Sequence, residues 1–272
     1  MIRPLQSVFH GWRAWVLVLV LLLGSGRASC QDLVQRARQV LLDKAARQAS
    51  AFLAQFSEVK CTEQVTQQKL TPKGKVESQE ATTYDYLVIL NSVGGDLAFN
   101  ESRLPQRTNG NAKNLSMLVT NGFGTLLLIF HPYYQSSFEF SDMEDEVVAG
   151  RRLRRIHFEH IHGLRTPAGL VLRGREYPLE LEGTAWIDPD SGTVVRMSAR
   201  FDRGLQDLGL RMLRSEVDYA PVSFPGKHEE EWLPALATVE VETQRQHWMN
   251  VHHFTAYQLF DVSTQESVTL PK

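Results

Sequence analysis

Apolar and polar residues alternate along most of the chain after residue 57, which is the pattern of half-buried β-strands. The clearest example is the stretch 182–202, EGTAWIDPDSGTVVRMSARFD, where two short strands flank a Pro-Asp-Ser-Gly turn. One side of its second strand carries only apolar residues: Val195, Met197, Ala199 and Phe201. This apolar face must be covered by another part of the chain or by something that the protein binds.

Similar segments predict roughly ten antiparallel strands in meander order, joined by turns rich in Pro, Gly, Asn and Asp. Besides the two strands of the hairpin, they cover 58–70, 76–90, 97–104, 136–140, 154–161, 170–175, 213–219, 235–243 and 248–262. Before them, Gln31 to Phe56 has apolar residues near the 3.6-residue period of an amphipathic helix. The stretch Leu115 to Ile129 is compatible with a short helical insertion or a buried strand, because Gly122 and Gly124 interrupt it.

A sheet of this size is too wide for the predicted helices to cover. Ten strands at a spacing of about 4.8 Å make a sheet about 50 Å wide, whereas one helix covers a strip about 10 Å across. The sheet therefore either closes into a barrel or stays open and leaves part of its apolar face for a ligand. We predict a mainly β (α+β) fold: a wide curved antiparallel sheet forming an open half-barrel, with an N-terminal amphipathic helix and a short helical insertion. A packed interior and a ligand groove are both compatible with this fold.

Residues 1–28 have the three-part form of an export signal. Arg3 and Arg13 supply the positive start, and Trp15 to Leu23 supplies an apolar run. That run is short for a membrane span, which needs roughly 20 apolar residues. Small residues near the end of the signal predict cleavage after Ala28, which leaves 29–272 as a single domain. An uncleaved N-terminal anchor is the least favoured alternative.

The two cysteines support two mutually exclusive predictions. Cys30 and Cys61 can form a disulfide in an oxidising compartment, closing a loop of about 30 residues that stabilises the fold by roughly 3–4 kcal/mol. Alternatively, Ala28-Ser29-Cys30 resembles the end of a lipobox, in which Cys30 would carry lipid, although Arg27 argues against that site. We favour a soluble periplasmic protein, with an outer-membrane lipoprotein as the alternative.

Charge excludes one class of partner. The chain has 29 basic and 31 acidic residues. Removing the signal deletes three arginines, which leaves 26 basic and 31 acidic residues and a net charge of −5. Binding to nucleic acid depends on neutralising phosphates. We therefore expect no nucleic-acid partner.

The order of elements resembles the LolA/LolB-like superfamily of periplasmic lipoprotein carriers and receptors. The resemblance is carried by Phe52-Leu-Ala-Gln-Phe-Ser-Glu-Val, by the hairpin from Gly183 to Met197, and by the short segments Ser215 to Tyr219 and Trp232 to Ala235. It implies an incompletely closed sheet with helices at its mouth, and a binding module for acyl chains or lipoproteins. The string Gln246 to Phe254 is more closely similar to a family of uncharacterised exported bacterial proteins.

The chain departs from the superfamily in three respects. It is longer than the common carriers, none of its residues can be matched to the arginine that locks the carrier's lid, and RRLRR, Arg151 to Arg155, is outside the pattern. RRLRR is interpreted as a protected edge strand or, alternatively, as a contact for anionic lipid headgroups.

We predict an exported, non-enzymatic protein that holds a lipid or an acylated polypeptide in an apolar groove, without a cofactor. The predicted groove residues are Trp186, Met197, Phe201, Trp248, Phe254 and Phe260. Expected partners are lipid or lipoprotein acyl chains, an envelope protein and the membrane surface. The first alternative is a structural or interaction module of the cell envelope with a packed core.

A metal-dependent hydrolase is the third interpretation. The stretch IHFEHIHG, 156–163, places His160 and His162 on the same side of a strand, but a catalytic zinc ion usually needs three protein ligands. The sequence has neither a Gly-x-Ser-x-Gly nucleophile elbow nor a phosphate-binding glycine loop. We therefore predict no metal site and no catalytic residues.

Overall fold

The structure is a computed structural model and describes residues 11–93, 96–106, 120–122, 124–172, 175–201 and 209–259. Contacts divide the chain into two units, 1–42 and 43–272. The first unit contains the beginning of helix α1 (Gly11–Phe56), and the second contains the rest of α1 and the strands. Within the described residues, no helix combines the length and the apolarity that crossing a bilayer requires.

The strands of the described part follow α1 in chain order. They are β1 (Val59–Leu70), β2 (Val76–Val93), β3 (Asp96–Pro105), β4 (Thr120–Asn121), β5 (Phe138–Asp142), β6 (Glu146–Val148), β7 (Arg151–His160), β8 (Gly169–Leu172), β9 (Arg175–Pro178), β10 (Leu181–Ile187), β11 (Val194–Phe201), β12 (Leu210–Val222), β13 (Glu231–Thr243) and β14 (His247–Leu259). Between β4 and β5 lie a 3-10 helix, η1 (Leu126–Phe130), and a one-turn helix, α2 (Pro132–Gln135).

Eleven strands form one antiparallel sheet in the order β3-β2-β1-β14-β13-β12-β11-β10-β7-β5, with β6 paired to β7. The sheet does not close into a barrel, and β3 and β5 lie at its two ends. Strands β4, β8 and β9 form a separate sheet. The predicted fold class is therefore confirmed: a mainly antiparallel, unclosed sheet with few helices.

One face of the large sheet is apolar, and we call it the inner face. Directly paired residues on neighbouring strands share a face, and the register joins five such residues into a row: Met197, Val217, Ala237, His252 and Val65. All five are buried. The opposite, outer face carries mostly polar and charged side chains.

The second half of α1 covers part of the inner face. Its buried residues recur every three or four positions, which places them on one side of the helix: Ala45, Ala49, Phe52, Leu53 and Phe56. The ring of Phe52 lies 6.2 Å from that of Tyr219 on β12, and the ring of Phe56 lies 6.1 Å from that of Tyr86 on β2. The apolar face of the sheet is therefore covered, at these strands, by the chain itself.

The hairpin 182–202 differs from the prediction at one position. The pairing of β10 with β11 shifts register between Trp186 and Ile187, so that Ile187 pairs with Val194 and Val195 is left in a bulge. Val194 is buried in place of Val195, whereas Met197 and Ala199 are buried as predicted. The strict two-residue alternation fails here because a bulge adds one residue to one strand.

The strand order is also not a simple meander. The first strand, β1, pairs with the last, β14, from Val59 opposite Leu259 to Leu70 opposite His247. This pair joins the N-terminal strands β1–β3 to the later strands of the large sheet, between the third and fourth strands of its order.

Candidate functional site

The segment Gly124–Phe130, which we call the plug, is buried along its whole length. Its five apolar side chains, Leu126–Phe130, are each at most 5% exposed. Its backbone forms the 3-10 helix η1 instead of a strand, and the N–H group of Leu127 donates to the hydroxyl of Tyr219 at 3.1 Å. The plug therefore fills part of the inner face without belonging to the sheet.

Both ends of the plug contact the sheet. At its start, a Cβ atom placed on Gly124 would lie 3.5 Å from the Phe254 ring and 3.7 Å from the Tyr86 hydroxyl. At its end, the ring of Phe130 stacks on that of Phe140 in β5, with centroids 5.4 Å apart. The plug thus spans from β2 and β14 to the opposite end of the sheet.

A recess of about 30 Å³ lies beside the plug, among Phe52, Leu127, Val194 and Trp232. This volume has room for roughly one or two water molecules. A hydrocarbon chain does not fit into it. In this arrangement the plug, and not a ligand, occupies this part of the inner face.

A buried cluster of charged residues interrupts the apolar inner face near the start of the plug. The side chain of Glu63 on β1 is fully buried and accepts hydrogen bonds from Arg103 on β3, from Nε at 2.6 Å and from Nη2 at 3.1 Å. The Nδ1 atom of His252 on β14 lies 2.8 Å from the same carboxylate. Arg103 also pairs with Glu101 at 3.0 Å, and its Cζ atom lies 5.1 Å from the centre of the Tyr86 ring. We call these five residues the polar cluster.

Strand alternation and register bring the polar cluster together. Cys61, Glu63 and Val65 are alternate residues of β1, so their side chains point to the same face. The register places Tyr86 opposite Cys61 and Arg103 opposite Tyr86. Charged and apolar side chains therefore share one face of β1–β3.

The protonation states of the polar cluster follow from its contacts. Burial alone would raise the pKa of Glu63, but hydrogen bonds from His252 and Arg103 lower this pKa below its usual 4.5. Burial alone would lower the pKa of Arg103, but the carboxylates of Glu101 and Glu63 raise it above its usual value. Burial raises the pKa of Tyr86 well above 10. At neutral pH the cluster therefore contains an ionised Glu63, a charged Arg103 and a neutral Tyr86 hydroxyl.

The polar cluster also contacts the chain just before the plug. The backbone N–H of Gly122, two residues before the plug, donates to Glu101 Oε1 at 3.0 Å. The Glu101 side chain is only 2% exposed, and its other oxygen lies 3.0 Å from Arg103 Nη2. Glu101 therefore contacts both Arg103 and the backbone that leads to the plug.

Four of the six predicted groove residues lie on the inner face: Met197, Phe201, Trp248 and Phe254. Of these, Met197 and Phe254 are buried, whereas Phe201 and Trp248 are partly exposed. Trp186 lies on the outer face, opposite Arg196, and its Nε1 atom donates to Glu146 at 2.9 Å. Phe260 lies outside the described residues. A contact between these side chains and a ligand stays a prediction.

The interpretation of Arg151 to Arg155 as an edge strand is wrong for strand β7 as a whole, because β7 pairs with β10 on one side and with β5 on the other. In the described part of the chain, the first three residues of β7, Arg151–Leu153, pair with β6 alone, and the pairing with β10 begins at Arg154. Arg151 pairs with Asp188 at 2.5 Å and Arg154 with Asp142 at 2.8 Å. These arginines are therefore engaged by the protein's own carboxylates.

His160, at the end of β7, and His162, in the turn that follows, differ in their surroundings. His160 is buried, with Nε2 3.0 Å from the Arg165 carbonyl oxygen, whereas the side chain of His162 is 83% exposed and pairs with Glu180 at 2.6 Å. In the part of the chain that the structure describes, no group of three or more His, Cys, Asp or Glu residues could hold a metal ion.

Cys61 is a buried free thiol, and burial raises its pKa to about 12. The side chain of Cys30 lies outside the described residues. A disulfide between the two cysteines, like lipidation of Cys30, stays a prediction.

A polar groove of about 640 Å³ lies on the outer face of β10–β13. One cross-strand row of its lining consists of Thr184, Ser198, Glu216 and Thr238. In the next row Arg214 pairs with Glu240 at 2.6 Å, and Arg200 pairs with Glu182. Because these charges are already paired within the protein, the groove favours no particular class of ligand.

Sequence reasoning missed the polar cluster, although the chain contained a signal for it. In β1 the buried alternate positions are Val59, Cys61, Glu63 and Val65, so a glutamate occupies an apolar position of the pattern. A buried carboxylate requires partners. Those partners, Arg103 and His252, lie far away in the chain and could not be matched to it from spacing.

No family model matches the sequence, and no curated protein matches it. Among solved structures, the chain is similar to a DUF1329 family protein from Desulfovibrio piger, with 12% identity, 84% of this chain and 94% of that chain covered, and a TM-score of 0.42. It is also similar to a putative outer membrane lipoprotein-sorting protein domain from Vibrio parahaemolyticus, with 10% identity, 82% and 95% coverage, and a TM-score of 0.41. At this level of similarity residue roles cannot be transferred, so any function must be inferred from the contacts of this chain.

Proposed function

We propose that this chain is an exported, non-enzymatic binding protein that holds a lipid, or the acyl chain of a polypeptide, against the inner face in the place taken by the plug. The observation that supports this proposal is the plug itself. Its five consecutive apolar side chains, Leu126–Phe130, are all buried in a short 3-10 helix. An acyl chain likewise offers only apolar surface for burial.

The energies of the two occupants are comparable. Burial of a large apolar side chain contributes about 1.5–3 kcal/mol, so the five side chains of the plug contribute roughly 8–15 kcal/mol before ordering costs. A fully buried 16-carbon chain contributes on the order of 12 kcal/mol at about 0.8 kcal/mol per CH₂. Exchange of the plug for an acyl chain is therefore close to balanced, as a carrier that loads and releases its cargo requires.

Export to the periplasm belongs to this proposal and is supported by the signal-like residues 1–28. The partners are then an acyl chain of a lipid or lipoprotein, an envelope protein that delivers or accepts it, and the membrane surface. No step of this function requires a cofactor or a nucleophile.

The first test is chemical. The full chain is purified, its bound lipids are extracted and identified by mass spectrometry, and its binding of a fluorescent fatty acid is titrated. We expect a co-purifying lipid or saturable binding of the probe. Recovery of no hydrophobic ligand, together with no binding of the probe, would refute the proposal.

The second test weakens the plug. Leu128→Ala removes a fully buried side chain from the plug, which costs about 2–5 kcal/mol in the plugged state. If an acyl chain replaces the plug, this loss favours the bound state, and affinity for the probe should rise about 10-fold or more. The matched control is Leu153→Ala, which removes an equally buried leucine from β7. It should lower stability without raising affinity.

The alternative is a structural or interaction module with a packed interior, which the small recess beside the plug favours. It predicts that both leucine variants lose stability in the same way and that neither binds the probe.

A further inference from the structure

Three polar atoms of the polar cluster are buried without a hydrogen bond among the described residues: Glu101 Oε2, the hydroxyl of Tyr86 and the Nε2 atom of His252. Glu101 Oε2 lies in an ion pair, 3.0 Å from Arg103 Nη2, so the Tyr86 hydroxyl and His252 Nε2 are the two that need a further partner. The two residues are only 1% and 5% exposed. Both are neighbours of Phe254, whose ring lies 5.4 Å from that of Tyr86 and 6.3 Å from that of His252. Buried polar groups are nearly always paired, so two such atoms around one ring require an explanation.

A second buried tyrosine on the same face does have a hydrogen-bond partner for its hydroxyl. Tyr219, on the same face, accepts a hydrogen bond from the backbone of the plug at Leu127. At Tyr86 the plug instead places Gly124, where an added Cβ atom would lie 3.7 Å from the hydroxyl, and the hydroxyl has no hydrogen-bond partner among the described residues. The plug therefore satisfies one tyrosine and covers the other without satisfying it.

The hydrogen-bonding capacity of His252 follows from its contact with Glu63. The carboxylate of Glu63 accepts, so the hydrogen lies on Nδ1, 2.8 Å away. The remaining ring nitrogen, Nε2, accepts a hydrogen bond when the ring is neutral and donates one when the ring is charged. The Tyr86 hydroxyl can also donate or accept. A group that both accepts and donates therefore matches this pair of atoms in either form of the histidine.

We propose that Tyr86 and His252 form the subsite for the polar end of the bound lipid, and that this end carries a group that both donates and accepts hydrogen bonds: a hydroxyl, an amide or a carboxylic acid. The inference rests on the proposed function, because the ligand reaches the subsite only when Gly124 moves away with the plug. The apolar tail replaces Leu126–Phe130, and the polar end replaces Gly124. A phosphate headgroup fits less well, because the guanidinium of Arg103 already pairs with two carboxylates, Glu63 and Glu101.

The test compares two tyrosine variants. Tyr86→Phe removes an unpaired hydroxyl, whereas Tyr219→Phe removes a paired one and serves as the matched control. For Tyr86→Phe we expect unchanged or higher thermal stability and a loss of affinity of roughly 5- to 10-fold for lipids with a protic end. For Tyr219→Phe we expect the opposite: lower thermal stability, since Leu127 loses its acceptor, and tighter binding of all lipids, since the plug is less firmly held.

The ligands are chosen to separate the polar end from the tail. Displacement of a fluorescent fatty acid is measured with 1-dodecanol, with its methyl ether and with an N-dodecanoyl peptide. The alcohol and the amide donate and accept, whereas the ether only accepts. We expect the full chain to bind the alcohol or the acylated peptide several-fold more tightly than the ether, and Tyr86→Phe to reduce this preference. Tighter binding of the alcohol indicates a free lipid, and tighter binding of the acylated peptide indicates an acylated polypeptide.

The outcomes distinguish a refutation of the subsite from a refutation of the proposed function. If the full chain binds the alcohol and the ether equally and Tyr86→Phe binds like the unchanged chain, the subsite is refuted while the proposed function stands. If Tyr86→Phe loses as much stability as Tyr219→Phe at unchanged affinity, the hydroxyl serves the fold and the subsite is likewise refuted. If no ligand binds to any variant, the proposed function and the subsite are refuted together.

Discussion

Replacement of Glu63 by glutamine tests how strongly the buried polar cluster stabilises the fold. Glutamine has the same shape but no charge, so Glu63→Gln removes one counterion of Arg103 and replaces one of the two acceptor oxygens by an NH₂ donor, without creating a cavity. Arg103 and His252 both lie within hydrogen-bond distance of the carboxylate, at 2.6 Å and 2.8 Å. We expect a large loss of stability, because the single remaining acceptor cannot serve both partners and a donor then faces a donor inside the protein.

The size of the expected loss in the free energy of unfolding follows from the burial of the ion pair. Breaking a buried ion pair on one side costs about 3–5 kcal/mol. Arg103 keeps Glu101 as a partner and its side chain is 20% exposed, which places the expected loss at the lower end, about 3 kcal/mol. For a domain of this size 1 kcal/mol corresponds to about 2–4 °C in Tm, so Tm should fall by about 6–12 °C.

The sheet contains a matched control. Glu240 on the outer face also lies between an arginine and a histidine, with Arg214 at 2.6 Å and His247 at 2.7 Å, but the Arg214 side chain is 65% exposed. Surface ion pairs contribute about 0–1 kcal/mol, so Glu240→Gln should change Tm little. Both variants are measured by urea unfolding followed by tryptophan fluorescence and by thermal unfolding. Equal losses for the two variants would show that burial of the cluster does not set its contribution.

Three further predictions concern acidity, packing and the thiol. Because the pKa of Glu63 is lowered in the folded state, the ionised carboxylate contributes to the free energy of unfolding above its unfolded pKa of about 4.5, and this contribution is lost as the pH falls further. Between pH 3 and pH 5, the free energy of unfolding measured with urea should therefore depend less on pH in Glu63→Gln than in the unchanged chain. A Cβ on Gly183 would clash with the Ser198 carbonyl oxygen and lie 2.7 Å from the Phe158 ring, so Gly183→Ala should cost about 1–3 kcal/mol in urea unfolding. The buried Cys61 thiol, with a pKa of about 12, should not react with a thiol reagent while the protein is folded, and it should react once the protein unfolds. If it still does not react in the unfolded protein without reductant, Cys61 is instead in a disulfide with Cys30.

Elements with a regular period could be predicted well from the sequence. The end of α1 at Phe56 and the strands of the hairpin, β10 and β11, agree with the predicted bounds to within two residues. Their patterns repeat every 3.6 or two residues, and this repeat reports burial on one side. The run LLLIF at Leu126–Phe130 has no polar residue to mark a period, so it could not be assigned, and the structure shows a buried 3-10 helix.

Contacts between distant parts of the chain could not be predicted. Parity places Trp186 on one face of β10, but it does not reveal which face is inward, and the structure places this residue outside. Arg103 and His252 meet Glu63 only because β1 pairs with β2 and β14 in a particular register. Such a register is fixed by the whole sheet and has no local signature.

The pairing of β1 with β14 also constrains how the protein matures. Strand β1 begins at Val59 and its partner β14 ends at Leu259, so these two parts of the sheet cannot join until nearly the whole polypeptide has been synthesised. Contacts this remote in the chain make folding slow, because a long loop must close before they form.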